Sequence, residues 1–372
     1  MLVKKVRFPA RLGFRKLIKQ RVEQYFTEHR LARTGDWRMF AKTGLVLAWL
    51  ISSYVALVFF ASTPIIAVLS ALALAQGFVL VGFNIMHDAN HGGYSGNRKL
   101  NRVMGFTLDL IGGSNMLWRQ KHNILHHTYT NIHELDDDLD SNGLLRLSPE
   151  QEWRPWHRFQ HLYAFLVYSL LTLSWIVYSD FKKFFTRRIG EYELPKPTFM
   201  DTSLFFGGKL FYLGYMLVLP LFFHPLVYVL AAFVGVHLVL GFTLAMVFQL
   251  AHTVEGNAFP APDPDTGNME DEWAIHQVET TANFATRNRL VAWYLGGLNF
   301  QIEHHLFPGV CHIHYPALSK IVKSSCREMG ISYISYPTVW SAVVAHYRFL
   351  KQLGKGTPIQ IQTQRSGVGL HP

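Results

Sequence analysis

The chain has 372 residues, 49% hydrophobic and 14% aromatic, with 16% charged against the roughly 25% of a soluble domain. The apolar residues run in blocks, which excludes an ordinary soluble globule and points to a polytopic membrane protein. The net charge of +10 comes largely from the first 42 residues, which hold twelve lysines and arginines; beside a span such a segment stays cytosolic and meets anionic headgroups, so no nucleic-acid partner is expected.

In chain order, residues 1–43 read as a basic cytosolic arm and 44–354 as one membrane domain. No secretory signal is visible, because the first residues are basic and lack a continuous apolar core. Spans are expected at about 44–62 and 64–86, and again at about 208–223 and 225–251. A helix of about 20 apolar residues crosses the hydrocarbon core. The first pair is joined through Thr63 and Pro64 and the second through Phe223, His224 and Pro225, in both cases without a charge. Both pairs therefore read as tight helical hairpins. Lysine and arginine lie at their open ends, which puts both termini and the histidine clusters in the cytosol. The segment 162–179 cannot cross, or the later histidines would face the opposite side from the earlier ones. It is expected to lie in the interface, anchored by Trp153, Trp156, Tyr163, Tyr168, Trp175 and Tyr178. The fold class is thus all-α: four transmembrane helices in two hairpins, an interfacial helix and a cytosolic helical cap holding a metal site. Residues 355–372 read as a disordered tail. Cys311 and Cys326 lack a zinc-type spacing and are expected to be free thiols.

Three histidine clusters carry the chemistry: His87 with His91, His122 with His126 and His127, and His304 with His305. Residues four apart share a helix face, and His127 sits about 100° around from His126. His252 ends the fourth span at the depth expected for His87. Eight imidazoles are too many for one octahedral ion and suit two. Imidazole serves iron, copper, nickel and zinc alike, so spacing alone does not name the metal. Asp88 and Glu303, between the ligands, are candidates for orienting imidazole N–H groups, as is Gln301 one turn before the third cluster. The run Asp136, Asp137, Asp138 and Asp140 reads as a solvated loop. Trp118, Arg119 and Lys121 stand where a substrate headgroup would enter. His237 lies about 22 Å along its helix from His252, too far to be a ligand, and is expected to hydrogen-bond between spans. His276, His312 and His314 are weaker candidates; His133, His157, His161 and His346 read as surface or interfacial.

The strings HDANH, HNILHH and QIEHH resemble the three histidine boxes of membrane fatty-acid desaturases. The resemblance covers nearly the whole chain, with Trp118 before the second box, Asn131 after it, and Leu306-Phe307-Pro308 after the third. It implies two non-haem iron ions, O2 as co-substrate, a long-chain fatty acyl substrate and an external electron donor. Gln301, in place of the histidine that opens the third box in many members, is similar to the front-end type, which desaturates between an existing double bond and the carboxyl end (delta-5 or delta-6). No HPGG motif of a fused cytochrome b5 domain occurs, so a separate ferredoxin or cytochrome b5, with its reductase, is the expected partner. A bacterial inner membrane is the favoured location, or the endoplasmic reticulum in a eukaryote.

An unactivated methylene has no acidic proton, so acid–base chemistry cannot begin this reaction, and metal with O2 must take a hydrogen atom. The protein then has to hold the metal, exclude water and fix the chain in an apolar tunnel among the spans. A hydroxylase on the same scaffold is the nearest rival. A metal transporter or receptor is more distant, because a transport path needs polar groups through several spans.

Overall fold

In hydrocarbon a backbone has no water to bond, so an apolar block must satisfy its own amides as a helix. The computed structural model describes residues 6–10 and 13–356. In chain order its main helices are α1 (Phe14–Glu28), α2 (Trp37–Phe59), α3 (Pro64–His91) and α4 (Asn115–Trp118); α4 continues as a π-helix over Arg119–His126 and ends in His127–Tyr129. Next come α5 (Pro155–Ser169) and α6 (Leu171–Thr186), then α7 (Phe199–Phe222) and α8 (Leu226–His252). Last are α9 (Trp273–Glu279), α10 (Arg289–Tyr294), α11 (Gln301–Leu306), α12 (Tyr315–Glu328) and α13 (Val339–Leu353). The strands among the described residues are two-residue pairs. β1 (Arg188–Ile189) is antiparallel to β2 (Tyr192–Glu193), and β3 (Asn283–Phe284) is parallel to β4 (Ser335–Tyr336). The protein is all-α and polytopic.

Helices α2, α3, α7 and α8 are long and apolar enough to cross a membrane, at 23, 28, 24 and 27 residues. They form the two expected hairpins, with different bounds. α2 begins at Trp37 rather than 44, capped by Asp36, whose carboxylate accepts from Arg38 N. α7 begins at Phe199 rather than 208, where Thr198 and Asp201 form a capping box. In both, charges near the helix start, Arg38 and Lys42 in α2 and Asp201 and Lys209 in α7, interrupt the apolar count. α3 runs past 86 to His91 and stops at Gly92, whose φ of 81° closes the helix in the left-handed region. The segment expected at 162–179 is the pair α5 and α6, bent by 55° at their junction.

The chain divides into two units. The span unit comprises 34–121 and 165–247. Two groups of its buried polar side chains are matched within it. His237 Nδ1 lies 3.0 Å from the Thr172 hydroxyl, which donates to His237 O, and the Tyr212 hydroxyl lies 2.7 Å from Nε2. This is the inter-span hydrogen bonding expected of His237. Lys209 donates to Asp180 at 2.6 Å and to Gly112 O at 2.7 Å. Gly241 lets α8 meet the end of α5, since a Cβ there would stand 2.6 Å from Ser169 O.

The cap unit comprises the first 33 residues, 122–164 and the chain from 248 onward. Part of the expected arm is built into it. α1 buries Phe14, Ile18, Val22 and Phe26, four-residue spacing that puts one apolar stripe against the unit's core. Glu272 caps α1, accepting from Gly13 N and Arg15 N at 3.1 and 2.7 Å. The expectation of a disordered tail falls on residues almost all outside the described ones.

Candidate metal centre

Three sequence-distant pieces bring six histidines together inside the cap unit: the π-helix after α4, the last residue of α8, and α11. The π-helix adds a contact to the expected spacing. The rings of His122 and His126 stack at 5.3 Å as a shared face predicts, and the i, i+5 pairing also brings His122 and His127 to 3.2 Å between Nε2 atoms. One ring nitrogen each from His126, His252 and His305 lie within 4.8 Å of one another, as do those of His127, His304 and His305. His122, His126 and Asp138 make a further group of this kind. The His305 ring centroid is 4.4 Å from that of His127 and 4.9 Å from those of His126 and His252.

The rings are aimed by partners on their other nitrogen. His126 Nδ1 lies 3.0 Å from Asp136 Oδ2, and Asp136 is fixed in turn by Asn131 N and Asp138 N. His305 Nδ1 lies 2.7 Å from Gln277 Oε1, to which the Thr130 hydroxyl also donates. His304 Nδ1 lies 3.2 Å from the Tyr315 hydroxyl. In all three, Nδ1 is engaged, so Nε2 is the nitrogen a metal would take. Burial holds His305 well below the usual histidine range, and the crowding imidazoles lower it further, so the ring stays neutral as a ligand must. Buried, converging nitrogens, three of them on oriented rings, fit a transition-metal centre.

Of the expected supporting groups, Gln301 is in contact: its Nε2 lies 3.0 Å from His252 Nε2. Glu303 turns elsewhere, accepting from Asn283 Nδ2 and the Tyr333 hydroxyl at 2.8 Å each, and burial pushes its carboxyl up to about 7. It ties α11 to the β3–β4 region rather than orienting an imidazole. Asp136 overturns the reading of the acidic run as a solvated loop, since its side chain is 1% exposed. Gln277, Thr130 and Tyr315 had no sequence signal at all, whereas Asp136 had one in its place ten residues after His126. Asn131, at φ 58°, donates its amide to the carbonyls of His252, Ala258 and Thr280, pinning the end of α8. His276 is buried edge-on to Phe8, and His314 edge-on to Phe26. His346 and His157 are buried rather than superficial: His346 bonds Thr253 O at 2.7 Å, and His157 sits between Arg154 N and Gly143 O. His312 is also buried, while His133 and His161 are half-buried.

In the span unit His87 and His91 pair with ring centroids 4.8 Å apart, and Trp118 stands edge-on to both at 5.6 Å. Asp88 Oδ1 is 4.0 Å from His87 Nδ1, beyond a hydrogen bond. Trp118 and Lys121 line a cavity of about 30 Å³ with Ser179, Asp180 and Lys183, while Arg119 is exposed. A larger apolar cleft of about 750 Å³ lies at the hairpin-turn end of the spans, beside Tyr54, Thr63 and His224. On α3 it reaches only Leu74, thirteen residues or about 20 Å short of His87. It is not the histidine end of the tunnel expected among the spans.

A family model described as fatty acid desaturase matches residues 62–337. The chain is 39% identical over 360 residues to the sn-1 linoleoyl-lipid 6-desaturase of Synechocystis sp., covering 96% of this chain and 100% of that one. It is 39% identical over 351 residues to the protein of the same name from Arthrospira platensis, covering 94% and 95%. The acyl-lipid (8-3)-desaturase of Physcomitrium patens is 39% identical over 342 residues, covering 91% of this chain and 71% of its own.

Proposed function

The chain belongs to the fatty acid desaturase family, and we propose that it inserts a double bond at the 6-position of a linoleoyl group carried on a membrane lipid. It is an oxygen-dependent desaturase of the front-end type. The lipid carrier and the 6-position are inferred from relatives named for that reaction and similar over almost their full length. Two iron ions would be held by His87, His91, His122, His126, His127, His252, His304 and His305. The observation that carries this reading is the buried group of six cap histidines, three of them aimed through Asp136, Gln277 and Tyr315.

When bound, the irons supply what no side chain can, the activation of O2 to remove hydrogen from an unactivated methylene. The chain's own residues do the rest. Asp136, Gln277 and Tyr315 hold Nδ1 and fix the ring planes. Burial keeps His305 neutral and keeps water from the reacting carbons. Gln301 touches His252 where many relatives of the family have a further histidine. Trp118 and Lys121 form one wall of the substrate's approach, with Arg119 at its outer edge. Each turnover joins one acyl CH2–CH2 unit with O2, two external electrons and two protons, giving CH=CH and two waters. The electrons come from a separate ferredoxin or cytochrome b5 type carrier. The bias of lysine and arginine to the open ends of the hairpins supports cytosolic termini and histidines.

The test is expression in a host supplied with oleic or linoleic acid and a redox partner, with gas chromatography–mass spectrometry of the lipids. A 6-unsaturated product is expected. A hydroxylated product would move the reaction to the sister chemistry, and a double bond elsewhere would retain the enzyme and overturn its position.

A further inference from the structure

We propose that the surface at the C-terminal end of α1 is the docking face for an acidic one-electron carrier protein, and that Tyr25, Phe26 and Tyr315 conduct the electron from it to His304. The inference rests on the desaturase reading, which requires two electrons per turnover from outside.

Its basis is a run of packed side chains, all within the cap unit, that begins at a histidine of the cluster and ends at the surface. His304 Nδ1 lies 3.2 Å from the Tyr315 hydroxyl, with ring centroids 6.1 Å apart. Tyr315 is 1% exposed and shares one apolar cluster with Val22, Phe26 and Leu318. The Phe26 ring lies 5.4 Å from that of Tyr25, and Tyr25 lies 4.4 Å from the ring of exposed His29. Tunnelling weakens steeply with each gap it must cross, so hydrogen-bonded and packed rings make a better route than open space. The Nδ1 partners of the other two oriented rings offer no such lead. Asp136 is bonded to nearby backbone amides and Gln277 to Thr130.

The charge at the outer end suits the partner. Arg30, Arg33 and Lys320 are exposed on the segments that build this cluster. Arg289 is exposed on α10, whose Ala292 packs against the same cluster. Two acids stand on α1 against these four cations: Glu28, its exposed last residue, which accepts from Gln24 Nε2 at 2.7 Å, and Glu23, which is within 4.0 Å of Lys19 and 3.5 Å of Arg33. Such a patch steers an acidic partner, and redox encounters make do with small, transient interfaces. A basic face also attracts anionic lipid, but a membrane has no use for an aromatic route to a metal ligand.

The experiment uses the iron-loaded full chain in lipid nanodiscs and a plant-type [2Fe–2S] ferredoxin as probe. The triple variant Arg30→Glu, Arg33→Glu, Lys320→Glu is expected to weaken ferredoxin binding by about tenfold or more at low salt, with the gap closing near about 0.5 M salt. Tyr25→Leu is expected to leave ferredoxin affinity unchanged and to slow oxidation of reduced ferredoxin, while reduction of the iron by dithionite keeps its rate. Unchanged ferredoxin binding in the triple variant overturns the proposal. So does weakened binding to vesicles containing anionic phospholipid with ferredoxin binding intact, which assigns the face to the membrane. Iron content is measured on every protein, and if the triple variant has lost iron, the single reversals Arg30→Glu and Lys320→Glu decide. Desaturated lipid formed by the unmodified enzyme with dithionite tests the desaturase reading separately.

Discussion

Asp136 Oδ2 accepts a hydrogen bond from His126 Nδ1 at 3.0 Å, with both side chains 1% exposed. A buried carboxylate on the far nitrogen fixes the ring's tautomer and makes its Nε2 a stronger donor to a metal.

Asp136→Asn keeps the shape and removes the charge. It is expected to lower iron affinity by about 10–100-fold, read as iron retained during chelator competition. Asp140→Asn, on the exposed part of the same run, should retain iron like the parent. Equal retention by the two variants would remove Asp136 from the centre.

Removing a ligand should separate chemistry from folding. His126→Ala and His305→Ala are each expected to abolish desaturation while leaving insertion in the membrane fraction intact. His133→Ala, in the half-buried loop after the second cluster, should remain active. Product formation by either ligand variant, followed by mass spectrometry, would sink the ligand assignment.

The buried pair of Lys209 and Asp180, 2.6 Å apart, predicts an asymmetric mutant series. Asp180→Leu leaves the lysine charge unmatched and should cost about 3–5 kcal/mol. The double variant Asp180→Leu, Lys209→Met removes both charges and should recover most of that loss. Thermal unfolding in detergent measures both. A double variant no better than the single would mean that the pair does not act as a unit.

Burial lowers His346 to about 4, against 6.5 for the free side chain, with a bond to Thr253 O opposing the shift. The folded ring is therefore neutral at pH values where the unfolded one is charged. Its contribution is fully present above about pH 6.5 and is lost as pH falls from there toward about 4, by up to about 1.4 kcal/mol per pH unit. His346→Asn should flatten the dependence of the thermal midpoint on pH between 7 and 5, after allowing for its own offset at pH 7. Parallel curves for parent and variant would rule out this group as a source of acid loss.

Much of this architecture could be read along the chain. Hydropathy blocks separated by Thr63-Pro64 and by His224-Pro225 are local facts, and lipid leaves a long apolar block no choice but helix. The histidine strings were equally legible, because imidazole in such density has few uses other than metal. Helix ends were read less well: the first turns of α2 and α7 are stabilised by Asp36, Thr198 and Asp201, caps that an apolar count passes over.

The sequence by itself determined that this is a four-span membrane protein with histidine boxes of the desaturase kind, since hydrophobicity and ligand chemistry belong to each residue. Only the tertiary structure decided which nitrogen of His126, His304 and His305 faces the cluster. That depends on Asp136, Gln277 and Tyr315, which stand ten or more residues from the histidines they hold. It also decided that His122 meets His127, because the backbone there winds as a π-helix, and that α1, from a basic stretch that reads as an arm, packs into the core of the cap unit. Hydrogen-bond partners and helical register are set by packing between distant segments, and no local pattern encodes them.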